Sequence, residues 1–167
     1  MTQLANPGTH TDAVIDRLSG TMKTFDAGAP DLDATPGIVA AGTKGWGWQG
    51  TPGQSAFRPY RIVYPLTGGT MGADQDQGTL ANPSDDASLI WQVTCVGATR
   101  PQCEAVVHDT NELLVEQMSS FTIPGRFVMR VWCDMTGGVR RDDELQHPVF
   151  IPTPRYRLDS TPLDGGH

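Results

Sequence analysis

Lysine is nearly absent from this sequence of 167 residues, which contains only Lys23 and Lys44. The 12 basic residues are outnumbered by 19 acidic ones, so the net charge is -7 at pH 7. A general nucleic-acid binder carries the opposite charge, and binding to an anionic membrane requires clustered basic residues. The composition therefore argues against both functions.

Long apolar segments are also missing. No stretch approaches the roughly 18 apolar residues that a membrane-spanning helix requires. Residues 1–7 contain neither the basic nor the apolar part of a secretion signal. We therefore expect a protein that is made in the cytoplasm and does not contact a membrane.

Cysteine is scarce. The three cysteines, Cys95, Cys103 and Cys133, include no C-x-x-C pair. An odd and widely spaced set fits neither a disulfide framework nor a zinc ribbon. We expect all three to be reduced thiols in the core.

Glycine and proline, in contrast, are abundant, with 19 and 13 residues. This proportion is below that of disordered proteins but high enough to predict long loops. The length predicts one domain over residues 1–167. Within it we expect three irregular segments: a Gly/Pro/Trp-rich insertion loop at 31–56, an acidic Gly-rich loop at 67–87, and a flexible C-terminal tail at 159–167.

The apolar pattern predicts an α/β fold of α+β type, in which a small mixed sheet of about four to five strands is flanked by two helices. The first helix is expected over 11–22, and the second begins at a capping box formed by Thr99 and Gln102. Strands are expected near Phe25 and over 59–65, 88–97, 127–134 and 148–160. The apolar strand 88–97 suits the centre of a sheet covered on both faces.

Three finer expectations concern the second half of the chain. Alternation places Phe127, Met129, Val131 and Cys133 on one face of their strand. The prolines within 148–160 favour an edge strand or an interrupted one, with Tyr156 and Leu158 inward and Arg155 and Arg157 outward. If the strands before and after the second helix are parallel, they form a βαβ crossover.

Known catalytic and ligand motifs are missing or incomplete. The segment from Gly45 to Gly50 matches G-x-G-x-x-G, but no strand precedes it and no helix follows it, as a dinucleotide site requires. The segment from Asp74 to Gly78 begins like a calcium loop, yet Asp85 stands where the final Glu is needed. The sequence therefore predicts no catalytic residue, no metal site, no cofactor and no enzymatic activity.

Two other features are candidates for protein contacts. Trp46 and Trp48 are either part of a Gly-rich loop or exposed anchors for a partner. The run Arg140-Arg141-Asp142-Asp143 is either a solvated turn or an interface element in which arginines of one subunit meet acids of the next.

Several stretches together resemble the tail terminator proteins of long-tailed bacteriophages, especially those that infect actinobacteria. The strongest lie within 88–100 and 139–162. They include Gln92-Val93-Thr94-Cys95-Val96-Gly97-Ala98-Thr99-Arg100, the Arg140 to Asp143 run, Pro148-Val149-Phe150, and Arg155-Tyr156-Arg157-Leu158-Asp159-Ser160-Thr161-Pro162. Thr11-Asp12-Ala13-Val14 and Pro59-Tyr60-Arg61-Ile62-Val63-Tyr64-Pro65 fit the same pattern, whereas the 31–56 segment departs from it.

The resemblance implies a structural protein of the virion, located at the head-tail junction and assembled in the host cytoplasm. Such proteins form a homo-hexameric ring that caps the tail tube protein, ends tube polymerisation and joins a head-side connector or stopper protein, while DNA passes through the lumen without specific binding. The candidate interface residues are Trp46, Trp48, Arg140, Arg141, Asp142, Asp143, Arg155 and Arg157. The candidates for facing the lumen or the tube are Asp74, Asp76, Asp85 and Asp86.

Two alternatives remain open at the level of the sequence. One is a neighbouring structural role, as a head-tail stopper or tail completion protein. The other is a small soluble α/β enzyme or ligand-binding domain.

Overall fold

The computed structural model describes residues 7–27, 45–71, 86–143 and 147–163 of the chain. The helices are α1 (Pro7–Ser19) and α2 (Arg100–Asn111), and α2 continues into a π turn (Glu112–Glu116) and a 3-10 turn (Met118–Ser120). The strands are β1 (Thr24–Asp26), β2 (Gly47–Gln49), β3 (Ala56–Arg58), β4 (Tyr60–Met71), β5 (Ala87–Val96), β6 (Arg126–Met135), β7 (Arg140–Asp142), β8 (Val149–Ile151) and β9 (Arg155–Pro162).

The main sheet has the strand order β1-β4-β5-β9-β6. β1 is parallel to β4, and the other neighbours are antiparallel. Since β5 and β6 are both antiparallel to β9, they are parallel to each other, and α2 lies in the crossover between them. The expected βαβ unit is therefore present, with β9 inserted between its strands. The mixed fold with two helices is confirmed.

β5 occupies the centre of the sheet, as its apolar sequence predicts. Its side chains Leu89, Trp91, Val93 and Cys95 are buried against the helices. The opposite face of β5 is half-buried at Ser88, Ile90 and Gln92 and is buried only at Thr94 and Val96. Coverage of both faces, as the sequence suggested, is thus limited to the end of the strand.

The two helices bury apolar stripes on one face of the sheet. Val14 and Leu18 of α1 join Cys103 and Val106 of α2 in a layer that is at most 2% exposed. α1 extends from Pro7 to Ser19, so it begins four residues before the sequence-based start at Thr11.

The N-terminus of α2 confirms the predicted cap. Thr99 Oγ1 accepts a hydrogen bond from the Gln102 N–H at 3.3 Å, and Gln102 Oε1 accepts one from the Ala98 N–H at 2.8 Å. Gly97 lets the helix start directly against the end of β5, because a Cβ there would lie 2.9 Å from the Cys103 backbone nitrogen.

The expected common face of β6 is wrong for Phe127 and Met129, whereas Val131 and Cys133 both contact the core. Phe127 and Met129 are exposed, whereas Val128 and Val131 are buried. The pairing of β6 with β9 skips Met129, so the inward and outward positions exchange there, as at a β-bulge.

Of the two alternatives for 148–160, the interrupted strand is confirmed, since residues 152–154 separate β8 from β9, and the edge strand is wrong. β9 lies between β5 and β6, and Tyr156 and Leu158 face the core as predicted. Pro152 and Pro154 precede the strand, and their carbonyls accept hydrogen bonds from β5 at 3.0 and 2.9 Å. The prolines therefore sit where no donor is required of them.

The irregular segments are shorter than the sequence suggested. Within 31–56, β2 pairs with β3 as a hairpin, and within 67–87, β4 continues to Met71. Within the predicted tail, residues 159–162 belong to β9. The rest of the two loop predictions, at 31–44 and 72–85, lies outside the described residues, as do residues 164–167.

Candidate functional site

Arg140–Asp142 form a strand rather than a turn, in which both arginines are exposed and Asp142 is half-buried, and the exposed Asp143 follows it. β7 pairs with β8 in a small two-stranded sheet. Together with Ile151, the four residues line an open cleft of about 380 Å³. Arg141 Nε lies 2.7 Å from Asp143 Oδ1 at the surface. An exposed pair of this kind adds little stability, so its charges are available for exchange with a partner.

Arg155 and Arg157 lie on the face of the sheet that the helices do not cover. Arg157 is half-buried, and its guanidinium lies 5.7 Å from the ring centre of Trp132. The guanidinium of Arg130 lies 4.0 Å from the same ring. Arg155 donates to the sulfur of Met135 at 3.4 Å. These arginines form a basic strip beside β6.

The two tryptophans do not form an exposed pair. Trp46 is 6% exposed and packs edge-on against Phe25 at 4.9 Å and Tyr60 at 5.0 Å between ring centres. Trp48 is half-buried and contacts Phe57 at 5.2 Å across the β2–β3 hairpin. Of the two alternatives, the exposed anchor is wrong for Trp46, whose ring holds the hairpin on the sheet.

The G-x-G-x-x-G segment has no nucleotide-binding geometry. Residues 47–49 form β2 instead of a turn into a helix. Gly47 and Gly50 have φ values of 74° and 120°, which only glycine adopts readily, so these glycines serve the hairpin backbone.

One of the four candidate lumen residues can be placed. Asp86 is exposed and directly precedes β5. Asp74, Asp76 and Asp85 lie outside the described residues.

A buried polar cluster at the start of α1 was not anticipated from the sequence. His10 Nε2 lies 2.9 Å from Ser160 Oγ, and Arg126 Nε donates to the same hydroxyl at 2.9 Å. Burial lowers the pKa of Arg126, and the nearby Asp86 partly offsets this. A serine beside a histidine suggests a nucleophile, but both side chains are 0% exposed and cannot meet a substrate. The cluster joins α1 to β9 and β6.

A second buried cluster surrounds Arg61, which is 0% exposed. Its guanidinium pairs with Asp109 and donates to the Leu18 carbonyl at 2.9 Å. Thr21 Oγ1 also donates to Asp109 at 2.7 Å. This network ties both helices to the sheet, and no sequence signal marked Arg61 as buried.

The cysteines are free thiols, and their environment makes them unreactive. Burial raises the pKa of Cys95 to about 11 and that of Cys103 to about 12, and it also raises the pKa of Cys133. A nucleophilic cysteine requires the opposite shift. The prediction of buried core thiols is confirmed for Cys95 and Cys103, whereas Cys133 is half-buried.

The described part of the chain contains no group of three or more His, Cys, Asp or Glu side chains that could hold a metal ion. Within the same residues, no helix is long and apolar enough to cross a membrane.

An apolar surface on β6 is the feature that sequence reasoning missed. Phe127, Met129 and Met135 are 57%, 40% and 43% exposed. Alternation had placed Phe127 and Met129 on one face with Val131 and Cys133, and the skipped position at Met129 in the pairing with β9 separates the two pairs.

Comparison with known proteins gives likenesses to solved structures but no sequence match. No known family matches the sequence, and no curated protein matches it. Among solved structures, a chain from a structure described as "Virion of native gene transfer agent (GTA) particle" is similar over 90% of this chain and 87% of that chain, with 17% identity and a TM-score of 0.46. A likeness of this degree assigns no function.

Proposed function

We propose that this protein is a structural component of a phage virion, and specifically a tail terminator. Copies of the chain form a ring on the completed tail tube, stop further polymerisation and present a surface to the head-side connector. The protein performs no catalysis in this role.

The observation that carries the proposal is where the family-like stretches lie in the fold. The two strongest, 88–100 and 139–162, are distant in sequence but adjacent in space. β5 pairs with β9 from Ala87 opposite Ser160 to Gln92 opposite Arg155, and Gly97 bridges to Phe150. The resemblance therefore covers one continuous structural unit at the centre of the sheet.

The surface of β7 suits contacts between subunits. A ring requires a heterologous interface, in which two different patches of each subunit meet. Arg140 and Arg141 stand beside Asp142 and Asp143 in an open cleft, so both signs of charge are presented together. Charge patterns of this kind fix the orientation of a partner.

The acidity of the chain supports a ring that surrounds DNA. With a net charge of -7, the surface repels phosphates, and DNA can pass without being held. The exposed Asp86 and the three other candidate aspartates, Asp74, Asp76 and Asp85, are proposed to face the lumen or the tube.

The proposed ring stops tube growth because its two faces differ. One face of the ring copies the surface by which a tube ring binds the previous one, and the other face lacks the next binding patch. The tube then has nowhere to add a further ring.

Loss of the gene tests the function directly. We expect tails of uncontrolled length without heads, measured by electron microscopy, and rescue by a plasmid copy. Tails of normal length that fail to join heads would instead support the head-tail stopper, and normal joined particles would contradict both roles.

A charge reversal tests the ring interface. Arg140→Glu with Arg141→Glu should abolish rings on purified tubes, because like charges then meet across the contact. Arg100→Glu is the matched control, since Arg100 is an exposed arginine 70% accessible on α2. Loss of rings in the control as well, or unchanged rings in the double variant, would contradict this role of β7.

A further inference from the structure

The edge strand β6 concentrates the exposed large apolar side chains of the described residues. Phe127, Met129 and Met135 lie on it. The fourth, Leu163, is 62% exposed and lies beside the start of the strand, because its N–H donates to the Gly125 carbonyl at 3.1 Å. We call these residues, with Arg130, Trp132 and Asp134, the β6 edge.

The position of β6 leaves this surface open. The strand is 10 residues long and is last in the sheet order, so no described strand pairs with its outer side. Long apolar edges of this kind are a site of association unless something covers them.

The charges along β6 indicate which kind of strand could pair with its outer side. Arg130 and Asp134 lie at equal distances in sequence on either side of Trp132, and so do Met129 and Met135. Two such strands placed antiparallel about Trp132 bring arginine against aspartate and methionine against methionine. A parallel alignment in register would bring like charges together, which is unfavourable.

We propose that a second copy of this chain covers the β6 edge, with the two β6 strands antiparallel about a two-fold axis at Trp132. Arg130 then meets Asp134 of the partner subunit, and Met129 meets Met135 of the partner subunit. By symmetry each contact occurs twice.

The local structure prepares Arg130 for this contact. Its guanidinium is stacked over Trp132 at 4.0 Å and lies 3.0 Å from Asp159 Oδ2. The side chain is 65% exposed while held in this way, so it loses little conformational freedom when a partner binds.

A two-fold contact belongs to the free protein rather than to a ring. Successive copies in a ring with rotational symmetry alone meet through two different patches, so the same patch cannot face itself. The dimer contact is therefore distinct from the proposed ring contact, and this inference does not depend on the tail-terminator proposal.

Two single charge reversals and their mixture test the dimer. In Arg130→Asp two acids face each other across the axis, and in Asp134→Arg two arginines do. We expect each variant to dimerise about 100-fold more weakly than the wild type in analytical ultracentrifugation, from roughly tenfold per contact and two contacts. An equimolar mixture of the two should dimerise like the wild type, since every contact between different variants joins opposite charges.

The mixture separates a lost contact from a misfolded variant, because an unfolded chain cannot be rescued by a partner. Arg100→Asp, on α2, is the control and should dimerise normally. Two folded single variants whose mixture stays monomeric would overturn the proposal, as would a wild-type monomer at about 100 μM. If the wild-type protein is monomeric and binds the tube protein, and the variants lose that binding, the edge belongs to the tube protein and the proposal is overturned.

Discussion

Arg61 is the residue on which the helical layer most depends. It is a fully buried cation that contacts α1 through the Leu18 carbonyl and α2 through Asp109. A buried charge is tolerated only while its partner is present. The side chain thus fixes the relative position of two helices and the sheet through one guanidinium.

Removing the charge of Asp109 and removing that of Arg61 should lower the free energy of unfolding by different amounts. Asp109→Asn leaves the guanidinium of Arg61 buried without its counter-charge, and we expect a loss of about 3–5 kcal/mol in the free energy of unfolding. Arg61→Met should cost less, because Met fills the space and the Asp109 side chain, 31% exposed, can be hydrated. Urea denaturation of both variants measures the difference.

The exposed pair of Arg100 and Glu104 on α2 provides the comparison. Arg100→Met should change stability by less than about 0.5 kcal/mol, since exposed i,i+4 pairs contribute little. If Arg61→Met proves more costly than Asp109→Asn, the hydrogen bond to Leu18 rather than the ion pair holds the helices.

The helices and strands are specified by short sequence patterns. The N-terminal cap of α2 at Thr99 is the strongest of these patterns. Thr99→Ala removes the acceptor for the Gln102 N–H and should cost about 1 kcal/mol of unfolding free energy. Thr122→Ala, an exposed threonine outside any helix, should leave stability unchanged in the same thermal or urea melts. An equal effect of both substitutions would show that the cap does not stabilise the helix.

The elements that depend on such local patterns could be predicted from the sequence. The capping box and the stripe from Cys103 through Val106 fixed α2, and the apolar run fixed β5 at the centre of the sheet. In β6 the same alternation rule failed, since the positions skipped opposite β9 depend on a strand more than twenty residues away. The β2–β3 hairpin was missed because strands of three residues carry too little pattern.

Among the candidate site residues, too, those governed by local sequence could be predicted and those placed by distant contacts could not. The charge pattern at Arg140 to Asp143 predicted an exposed segment, and both arginines of β7 are exposed. Trp46 was misplaced, because its burial depends on Phe25 and Tyr60, which come from distant strands. Arg61 was unremarkable in sequence, since the carboxylate that permits its burial lies 48 positions further along the chain.

The whole molecule has a sheet with two unlike faces. The helices cover one face with an apolar core, and the other face carries the aromatic cluster around Trp46 and the basic strip of Arg155 and Arg157. The core side holds thiols and a phenol away from water. Burial raises the pKa of Tyr156 as well as those of Cys95 and Cys103.

These groups should make the fold unstable in alkali. The unfolded chain releases their protons near the ordinary pKa, whereas the folded chain keeps them to higher pH, so raising the pH favours unfolding. We expect the unfolding free energy to be constant up to about pH 8 and to fall above about pH 9, by about 1.4 kcal/mol per pH unit for each such group. Burial also raises the pKa of Tyr60 to about 12, so this tyrosine adds to the loss, and with only two lysines few further groups contribute.

Cys103→Ala should reduce this slope, because it removes the thiol whose pKa is raised to about 12. Thr99→Ala is the matched control, since it lowers stability without removing a titrating group and should keep the wild-type slope. Urea denaturation at intervals from pH 7 to pH 11 separates the slope from the stability at neutral pH. A Cys103→Ala slope equal to that of the wild type would show that the pKa of this thiol is not raised in the folded protein.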